Sequence, residues 1–289
     1  MRSVKNISIV IPAYNEATVI RRCLKSLVDS SSNNGGVQIV VVANGCSDDT
    51  ADRAREFGPS VTVIETEVGS KIHALNLGDK AAKGFPRFYI DADIEFENGT
   101  LEKLCNALQQ PGVLAVAPRM VVNCENRPWI VRAYYNVWLQ MPYCRSGMIG
   151  SGVYGVSEEG RKRFAEFPQI TADDGYVRLL FSSEERQTVE SCTFAITPPK
   201  VLDKIIDIKT RSHFGNEELK KLYPELWTSD EASHRLAILK LAINPLWWPS
   251  LAVYLYVKFA VRRRVRERFR RGEINKWERD DSSREEPAT

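Results

Sequence analysis

The sequence predicts an α/β fold in which helices flank a mostly parallel β-sheet. In the first half of the chain, short runs of β-branched residues alternate with segments of helical periodicity, a pattern typical of βαβ units. Turns rich in Gly, Asn, Asp and Pro separate these runs. The chain has 289 residues, of which 43% are hydrophobic and 27% charged, so it is long enough to bury a sizeable core.

The strands and helices of this half follow one another in alternation. Strands are expected at residues 7–11, 37–42, 61–64, 87–90 and 113–117. Helices are expected at residues 16–29, from the turn at 44–50 to about 57, at 71–83 and at 101–109. In the first helix, apolar residues recur at helical spacing on one face, namely Val19, Ile20, Cys23, Leu24 and Leu27. A Ser or Asp of the 44–50 turn is suited to cap the second helix, which Gly58-Pro59 ends, and Gly84 ends the third.

The distribution of charge and cysteine excludes several classes of function. Residues 262–271 contain seven Arg and one Glu, a local charge of +6 that leaves −3 for the rest of the chain. This local patch suits an anionic surface such as membrane lipid, and we expect no nucleic-acid partner. The six Cys form no CxxC pair and no cluster with His, so we expect reduced thiols in a cytoplasmic setting. The N-terminal apolar run is too short for the core of a signal peptide.

The C-terminal region predicts attachment to a membrane surface. Residues 241–257 carry no charge, and the Arg-rich run that follows suits anionic headgroups, so residues 241–271 form the candidate attachment segment. Pro245 and Pro249 argue against a continuous helix, and a span needs about 20 apolar residues. We therefore expect an interfacial or re-entrant amphipathic attachment, with a packing helix and a solvated Arg face as the alternative.

These observations divide the chain into three parts. Residues 1–215 are predicted to form the α/β domain, and residues 216–279 a helical membrane-associating segment. Residues 280–289 have the composition of a disordered tail.

Asp91-Ala92-Asp93 is the first candidate site. It follows the fourth strand, and in open α/β sheets ligands collect beyond the carboxyl ends of the strands. If strand geometry continues, the two carboxylates point the same way and suit one Mg²⁺ or Mn²⁺, which leaves coordination positions for substrate phosphates. Taken alone, however, the tripeptide is explained better by a solvated acidic turn.

The order of four motifs gives this tripeptide its meaning. They are Ile9-Val10-Ile11-Pro12-Ala13-Tyr14-Asn15-Glu16, Val41-Val42-Ala43-Asn44-Gly45-Cys46-Ser47-Asp48-Asp49-Thr50, Gly69-Ser70-Lys71 with Ala74-Leu75-Asn76, and Asp91-Ala92-Asp93. In sequence and order they resemble the family 2 glycosyltransferases over about residues 7–215. The resemblance implies a GT-A fold, a nucleotide-sugar donor, a divalent metal and inversion at the anomeric carbon. It also implies that Asp93 is the direct metal ligand, whereas Asp91 faces the nucleotide side.

The resemblance assigns the donor site to a set of residues along the chain. They are Pro12, Ala13, Tyr14, Glu16, Asn44, Lys71, Asp91, Ala92, Asp93 and Arg211. We expect the ring of Tyr14 to stack on the base, unless this segment is a plain βα turn. Lys71 begins a helix, where anions are favoured, so it is expected to meet the donor phosphates or brace the metal-site Asp, with a surface Lys as the alternative.

Two of these residues stand where the sequence departs from the resembled family. The family usually has an Asp that hydrogen-bonds the base at the position of Asn44, and an amide there can still donate and accept toward a base. A UDP-sugar is favoured, but this departure leaves other bases open. Arg211 stands where processive members carry a Q-x-x-R-W element, whose Gln and Trp are missing here. We therefore expect one or a few sugar additions, with Arg211 as a planar donor to the diphosphate.

Asp173-Asp174 is the second acidic site, and it opens a predicted helix. An inverting transfer needs a carboxylate opposite the departing diphosphate, which takes the proton from the attacking hydroxyl. In the resembled family the second acid of such a pair is this base, so the role falls on Asp174, with Asp173 as the fallback and a helix cap as the alternative. The stretch from Gly147 to Gly155 looks like the Gly-rich segment that precedes the base, where small residues let the backbone approach a sugar.

Together these features predict an inverting, metal-dependent glycosyltransferase. It would move a sugar from a nucleoside-diphosphate sugar to a hydroxyl of a lipid-linked or membrane-proximal acceptor, in cell-envelope or exopolysaccharide synthesis. We expect it to be peripheral or re-entrant on the cytoplasmic face of the inner membrane. The alternative is a non-catalytic nucleotide-sugar-binding accessory or sensor subunit. A nucleotidyltransferase would need a Gly-rich, basic loop after the first strand, and Pro12-Ala13-Tyr14-Asn15 is neither.

Overall fold

The computed structural model describes residues 6–31, 36–145, 152–227 and 231–271. The chain forms two compact units that alternate along the sequence. The first unit comprises Met1–Val121, Ile149–Gln169 and Leu180–Ala195, and the second comprises Val122–Met148, Ile170–Leu179 and Ile196–Thr289. The boundary predicted between residues 215 and 216 falls inside the second unit, and the predicted tail at 280–289 lies outside the described residues.

A seven-stranded sheet is the framework of the first unit. Its strands are β1 (Ile7–Ala13), β2 (Val37–Asn44), β3 (Val61–Thr66), β4 (Arg87–Ile90), β5 (Ala115–Val122), β6 (Val153–Val156) and β7 (Arg186–Ile196), in the order β3-β2-β1-β4-β6-β5-β7. Strands β1 to β4 pair in parallel, whereas β6 runs antiparallel to β4 and β5. All seven residues of β1 are buried, as expected of a central strand with both faces covered.

Helices alternate with the parallel strands and continue through the second unit. They are α1 (Ile20–Ser31), α2 (Thr50–Arg55), α3 (Lys71–Ala81), α4 (Thr100–Leu108), α5 (Trp129–Trp138), α6 (Pro142–Arg145), α7 (Glu158–Arg161), α8 (Asp173–Leu179), α9 (Leu202–Leu222), α10 (Glu231–Ala242) and α11 (Trp248–Arg270). The mixed α/β fold with a mostly parallel sheet is therefore confirmed.

A buried charge cluster ties α3 to β4 and α7 in the first unit. Asp79 accepts hydrogen bonds from Arg87 Nη1 at 2.6 Å, from Tyr89 Oη at 2.6 Å and from Arg161 Nε at 3.1 Å. Burial opposes ionisation of Asp79, but the hydrogen bonds from Arg161, Tyr89 and Arg87 outweigh it and hold its pKa below the ordinary value. The cluster fixes the start of β4, the strand that leads to Asp91.

In the second unit, α11 packs against α5 and α9. One face of α11 is buried, and its residues are Leu251, Tyr254, Val257, Val261 and Val265. The ring of Tyr254 stacks on that of Tyr134 of α5, with 5.8 Å between centroids, and Phe269 stacks on Phe214 of α9 at 4.6 Å. The buried spacing of three or four residues is that of an amphipathic helix.

One of the two helix breaks predicted from proline is present, and the other prediction was wrong. Helix α10 ends at Ala242, and a 3₁₀ turn follows at Pro245–Trp247. Helix α11 nevertheless begins at Trp248 and includes Pro249, because the N–H that proline lacks has no helical partner in the first turn. Among the described residues, no single helix has the length and apolar character to cross a bilayer. The pair Ser233–Ala242 and Pro245–Arg270, bent by 108°, meets the criterion jointly.

Candidate functional site

Three loops meet beyond the carboxyl ends of β1, β2 and β3. Asn15, at a positive φ of 54°, accepts a hydrogen bond from Ser47 N at 2.8 Å. Gly45 N donates to Thr66 O at 2.7 Å, which joins the ends of β2 and β3. Gly45 has φ +61°, and a Cβ there would lie 2.7 Å from Gly69 Cα, so only glycine allows this approach. The predicted donor segments of the first unit therefore lie together.

The segment after β1 is a turn held by partners from the next loop. Glu16 N donates to Thr50 Oγ1 at 2.7 Å, and Ala17 N donates to Asp48 Oδ2 at 3.2 Å. Helix α1 begins at Ile20 and not at Glu16 as predicted, although Glu16 O already accepts a hydrogen bond from Ile20 N at 2.9 Å. The sequence pattern did not reveal this role of Asp48 and Thr50, because the contacts are more than 30 residues apart along the chain.

Tyr14 lies at the surface of this turn. Pro12 and Ala13, which precede it, are buried, whereas Tyr14 is half-buried. Its ring lies beside Gly69, where a Cβ would be 3.7 Å from Tyr14 Cε2. The aromatic ring is thus positioned by the loop after β3 and keeps part of its surface open.

Asn44, at the end of β2, is wholly buried, with 0% of its surface exposed. Its Nδ2 donates to Ala13 O at 2.8 Å, and its Oδ1 is buried without a hydrogen-bond partner in the described structure. A carboxylate at this position would face the carbonyl oxygen of Ala13 and has no hydrogen to donate to it. The amide of Asn44 therefore suits this position better than a carboxylate would.

Lys71 and Asp91 form an ion pair at the carboxyl end of β4. Lys71 Nζ lies 2.9 Å from Asp91 Oδ1, and the two side chains are 26% and 38% exposed. Lys71 is the first residue of α3, whose N-cap Ser70 accepts a hydrogen bond from His73 N at 3.3 Å. Asp91 N donates to Gly152 O at 2.7 Å, which fixes the backbone beside the pair.

The strand geometry expected through Asp91-Ala92-Asp93 is not present. Strand β4 ends at Ile90, and a turn closes with a hydrogen bond of 3.2 Å from Ile94 N to Asp91 O. Ala92 is buried, Asp91 is partly exposed and Asp93 is exposed. The two carboxylates therefore have different surroundings, although both lie at the edge where ligands of parallel sheets collect.

The donor set at this turn consists of hard oxygen atoms. The described residues contain no group of three or more His, Cys, Asp and Glu side chains arranged to hold a metal. Two carboxylates nevertheless fit Mg²⁺ or Mn²⁺, because these ions bind through one or two carboxylates together with water and substrate phosphates. The Cys23 thiol, with Sγ 4.0 Å from Asp91 O, is not a competing soft ligand, because burial and the nearby acids raise its pKa.

Part of the predicted Gly-rich stretch borders this turn. Residues 146–151 lie outside the described residues, so only Gly152 and Gly155 are placed. At Gly152, with φ +94°, a Cβ would lie 3.1 Å from Asp91 Oδ2. At Gly155 a Cβ would lie 2.3 Å from Phe88 Cε1, so this glycine is needed for β6 to pack against β4.

Asp173 and Asp174 lie in the second unit and begin α8, as predicted. Asp173 is buried at 4% exposure, whereas Asp174 is partly exposed and its Oδ1 accepts a hydrogen bond from Gly175 N at 2.7 Å. Nearby, Thr171 N donates to Glu218 Oε2 of α9 at 2.7 Å. Of the two acids, Asp174 is the one with surface open to a substrate.

The charges around Asp174 come from the same unit. Burial lowers the pKa of Arg178, one turn further along α8, and Asp174 opposes that shift. Arg211 is partly exposed on α9. A Cβ on Gly215 would lie 2.8 Å from Ala172 Cβ, so α9 packs closely on the start of α8. The second unit therefore positions Asp173, Asp174 and Arg211, whereas the first unit positions the other predicted site residues.

A family model described as glycosyl transferase family 2 matches residues 8–154, about half of the chain. Among curated relatives, the 4,4'-diaponeurosporenoate glycosyltransferase of Staphylococcus aureus is 26% identical over 197 residues, which are 64% of this chain and 49% of the relative. The match spans only about a third to a half of the length of the curated relatives.

Solved structures share the fold at low identity. One is the mannosyltransferase PcManGT from Pyrobaculum calidifontis in complex with GDP-Man and Mn²⁺, with a TM-score of 0.62 and 19% identity over 93% of this chain and 79% of that one. Another is the glucosyl-3-phosphoglycerate synthase from Mycobacterium tuberculosis in complex with Mg²⁺ and uridine diphosphate, with a TM-score of 0.52 and 19% identity over 75% and 79%. The GT-A type of fold is confirmed, and the family match shows that this chain belongs to the family 2 glycosyltransferases.

Proposed function

We propose that this glycosyltransferase moves a sugar from a nucleoside-diphosphate sugar to a hydroxyl, with a divalent metal and inversion at the anomeric carbon. The observation that supports it best is the pair formed by Lys71 and Asp91 at 2.9 Å beyond β4, next to the exposed Asp93. A cation and carboxylates at the carboxyl edge of a parallel sheet suit a diphosphate and its metal.

The donor would lie in the first unit. Tyr14 offers a partly open ring to the base, and the buried Asn44 would support this site through its hydrogen bond to Ala13 O. Lys71 would meet the phosphates from the start of α3, where the helix dipole also favours an anion. The two solved structures hold a guanosine and a uridine nucleotide respectively. A UDP-sugar is our first choice because of the family resemblance, and a GDP-sugar is the second.

Asp93 and Asp91 would hold the metal, with Asp93 as the direct ligand because one oxygen of Asp91 is paired with Lys71. A bound Mn²⁺ or Mg²⁺ would neutralise charge on the departing diphosphate. The protein itself would orient the diphosphate through Lys71. Arg211 is proposed as a further donor to the diphosphate, through its planar guanidinium.

Asp174 would act as the general base. Its partly exposed carboxylate can accept the proton of the attacking hydroxyl, whereas Asp173 is buried. Partly exposed acids on short helices are common. The role of Asp174 as general base is therefore argued from the family relationship together with the difference in exposure between Asp173 and Asp174.

The acceptor is proposed to be lipid-linked or close to a membrane. The uncharged segment at 241–257 and the Arg-rich run after it support an attachment to the cytoplasmic face through residues 241–271. The absence of the Gln and Trp of Q-x-x-R-W around Arg211 supports one or a few additions per acceptor.

The test measures nucleoside diphosphate released from a panel of UDP- and GDP-sugars with Mn²⁺ and a detergent-solubilised lipid extract as acceptor. Asp93→Ala should lose donor binding and transfer, whereas Asp174→Asn should bind donor normally but lose transfer. Exposed acids of the same units, changed as Asp52→Ala and Glu225→Gln, are the controls. Donor binding without turnover in the wild type would instead support the accessory or sensor function.

A further inference from the structure

The bend between α10 and α11 exposes an apolar surface in the second unit. Its large side chains are exposed, with Ile243 at 81% and Leu246 at 86%. The set comprises Leu236, Leu239, Ile243, Leu246 and Trp248, and we call it the apolar bend. Isolated exposed apolar residues are normal, but a contiguous run of them at the tip of a helix pair marks an interaction site.

Hydrogen bonds hold this bend in a defined conformation. Trp248 Nε1 donates to Ala242 O at 3.0 Å, and Asn244 Oδ1 accepts from Leu246 N at 3.0 Å. Further along, Tyr254 Oη lies 3.0 Å from His234 Nε2, which joins α11 to α10. The apolar residues are thus presented by an ordered turn, with the helices at 108° to each other.

The outer face of α11 continues this surface and then changes character. Its first half is apolar, with Leu255, Tyr256 and Phe259 exposed. Its second half is basic, and the exposed residues are Arg262, Arg263, Arg266 and Arg270. Leu255, Phe259, Arg262, Arg266 and Arg270 recur at a spacing of three or four, with Tyr256 and Arg263 beside them. Together they form one stripe opposite the buried face of the helix.

The dimensions of the stripe fit half of a bilayer. Trp248 and Arg262 are 14 residues apart, a rise of about 21 Å along the helix, which exceeds the roughly 15 Å of one hydrocarbon leaflet and is less than both leaflets. A tilted α11 would place the apolar bend in the hydrocarbon of one leaflet and the arginines at its phosphates. Lys240, exposed near the bend, has a long stem that can reach the same headgroups.

The arginines at the far end differ in what they bind. Arg264 pairs with Asp203 Oδ1 at 2.7 Å and also with Asp207, so its charge anchors α11 to α9. The exposed Arg262, Arg266 and Arg270 form no ion pair within this anchor and lie on the outer stripe. Their charge complements anionic headgroups, which a second copy of this basic surface would not do.

We propose that the apolar bend and the outer stripe of α11 form a wedge that enters one leaflet of an anionic membrane, with the arginines setting its depth. This rests on the membrane attachment proposed above, but it does not depend on sugar transfer. The inserted residues are Ile243, Leu246 and Trp248 at the tip, and both helix ends remain on the same side of the bilayer.

The test is flotation of the full chain with vesicles of phosphatidylcholine, with and without phosphatidylglycerol. Ile243→Asn combined with Leu246→Asn should weaken binding to anionic vesicles about tenfold or more, because the apolar tip is lost. Leu222→Asn, which changes an exposed apolar residue of α9, is the matched control and should float like the wild type. Arg262→Glu with Arg266→Glu should abolish binding, while Lys25→Glu with Lys83→Glu, an equal change of charge, should leave most of it.

Two further readings decide the arrangement. Brominated lipids should quench the fluorescence of Trp248, which is identified as the part of the signal that is lost in Trp248→Phe. A tag at residue 289 should stay accessible to protease added outside the vesicles. Protection of the tag would show a span and overturn the wedge. Unchanged flotation of the tip variant would also overturn the wedge. So would a wild type that binds no vesicles but forms a dimer, if the tip variant is monomeric. Nucleoside diphosphate release in detergent, measured on the same variants, separates a failure of this proposal from a failure of the proposed reaction.

Discussion

Lys71 Nζ lies 2.9 Å from Asp91 Oδ1, so the start of α3 is joined to the end of β4 by an ion pair that is only partly exposed. The pair occupies one oxygen of Asp91 and holds the carboxylate at the edge of the sheet. A lysine here can therefore act in two ways, by orienting Asp91 and by meeting an anionic donor.

Lys71→Met should distinguish these two roles from a contribution of Lys71 to the stability of the fold. Because partly exposed ion pairs contribute about 1 kcal/mol or less, the melting temperature should change little. Loss of a cation next to a diphosphate should instead lower kcat/KM about a hundredfold. The control for kinetics and thermal unfolding is Lys80→Met. Lys80 lies in α3, as Lys71 does, and forms a surface ion pair with Glu166. Equal kinetics of the two variants would mean that Lys71 has no role beyond the fold.

Asn44→Asp should destabilise the first unit. The buried Nδ2 group that donates to Ala13 O would be replaced by an oxygen facing that carbonyl. We expect a loss of about 1–3 kcal/mol in the free energy of unfolding, measured with urea. Asn106→Asp, on the exposed side of α4, is the matched control. An unchanged midpoint for Asn44→Asp would show that the contact with Ala13 does not determine the residue.

The buried cluster around Asp79 predicts a dependence of stability on pH. Its folded-state pKa lies below the ordinary value, so its contribution is present above the unfolded pKa of about 3.9 and is lost as the pH falls further. Asp79→Asn should therefore destabilise strongly at pH 7, because Arg87 and Arg161 stay buried, and the deficit should shrink in acid. Thermal unfolding between pH 3 and 7, compared with Asp52→Asn, measures this. A deficit that does not vary with pH would count against the cluster.

Gly155→Ala should destabilise through a steric clash. The added Cβ would meet the ring of Phe88 at 2.3 Å, closer than van der Waals contact allows. We expect a cost of about 1–3 kcal/mol, measured by urea unfolding. Adding Phe88→Leu should recover part of the lost stability, because the smaller side chain makes room for the Cβ. The explanation would be contradicted if the loss in the double variant equalled or exceeded the sum of the losses in the two single variants.

Much of the first unit could be predicted from the sequence because its signals are local. The strand at Arg87–Ile90 is confirmed at the predicted bounds, and α3 begins at Lys71 as expected. The hydrogen bonds from the amides of Glu16 and Ala17 to Thr50 and Asp48 were not predicted, because no local pattern carries contacts between distant loops. The Asp79 cluster joins residues up to 82 positions apart and has no periodic signature.

The site was predicted in parts. The grouping of Tyr14, Asn44, Lys71 and Asp91 followed from the resemblance to the family, and for Asp91 also from the rule that ligands collect beyond the carboxyl ends of parallel strands. The burial of Asn44 was not predictable, because it depends on the Ala13 carbonyl on the neighbouring strand. Asp173 and Asp174 could be placed at a helix start, but only the structure separates the buried acid from the accessible one.

The most direct test of the central claim is a calorimetric titration of UDP and GDP into the full chain, with Mn²⁺ and with a chelator. The account predicts binding of one nucleotide with Mn²⁺, and a loss of about tenfold or more in affinity both without metal and in Asp93→Ala. Asp52→Ala should bind like the wild type. The proposed donor and metal site would be contradicted by equal nucleotide affinity in the wild type with Mn²⁺, the wild type with chelator, Asp93→Ala and Asp52→Ala. It would also be contradicted if neither nucleotide bound in the presence of Mn²⁺.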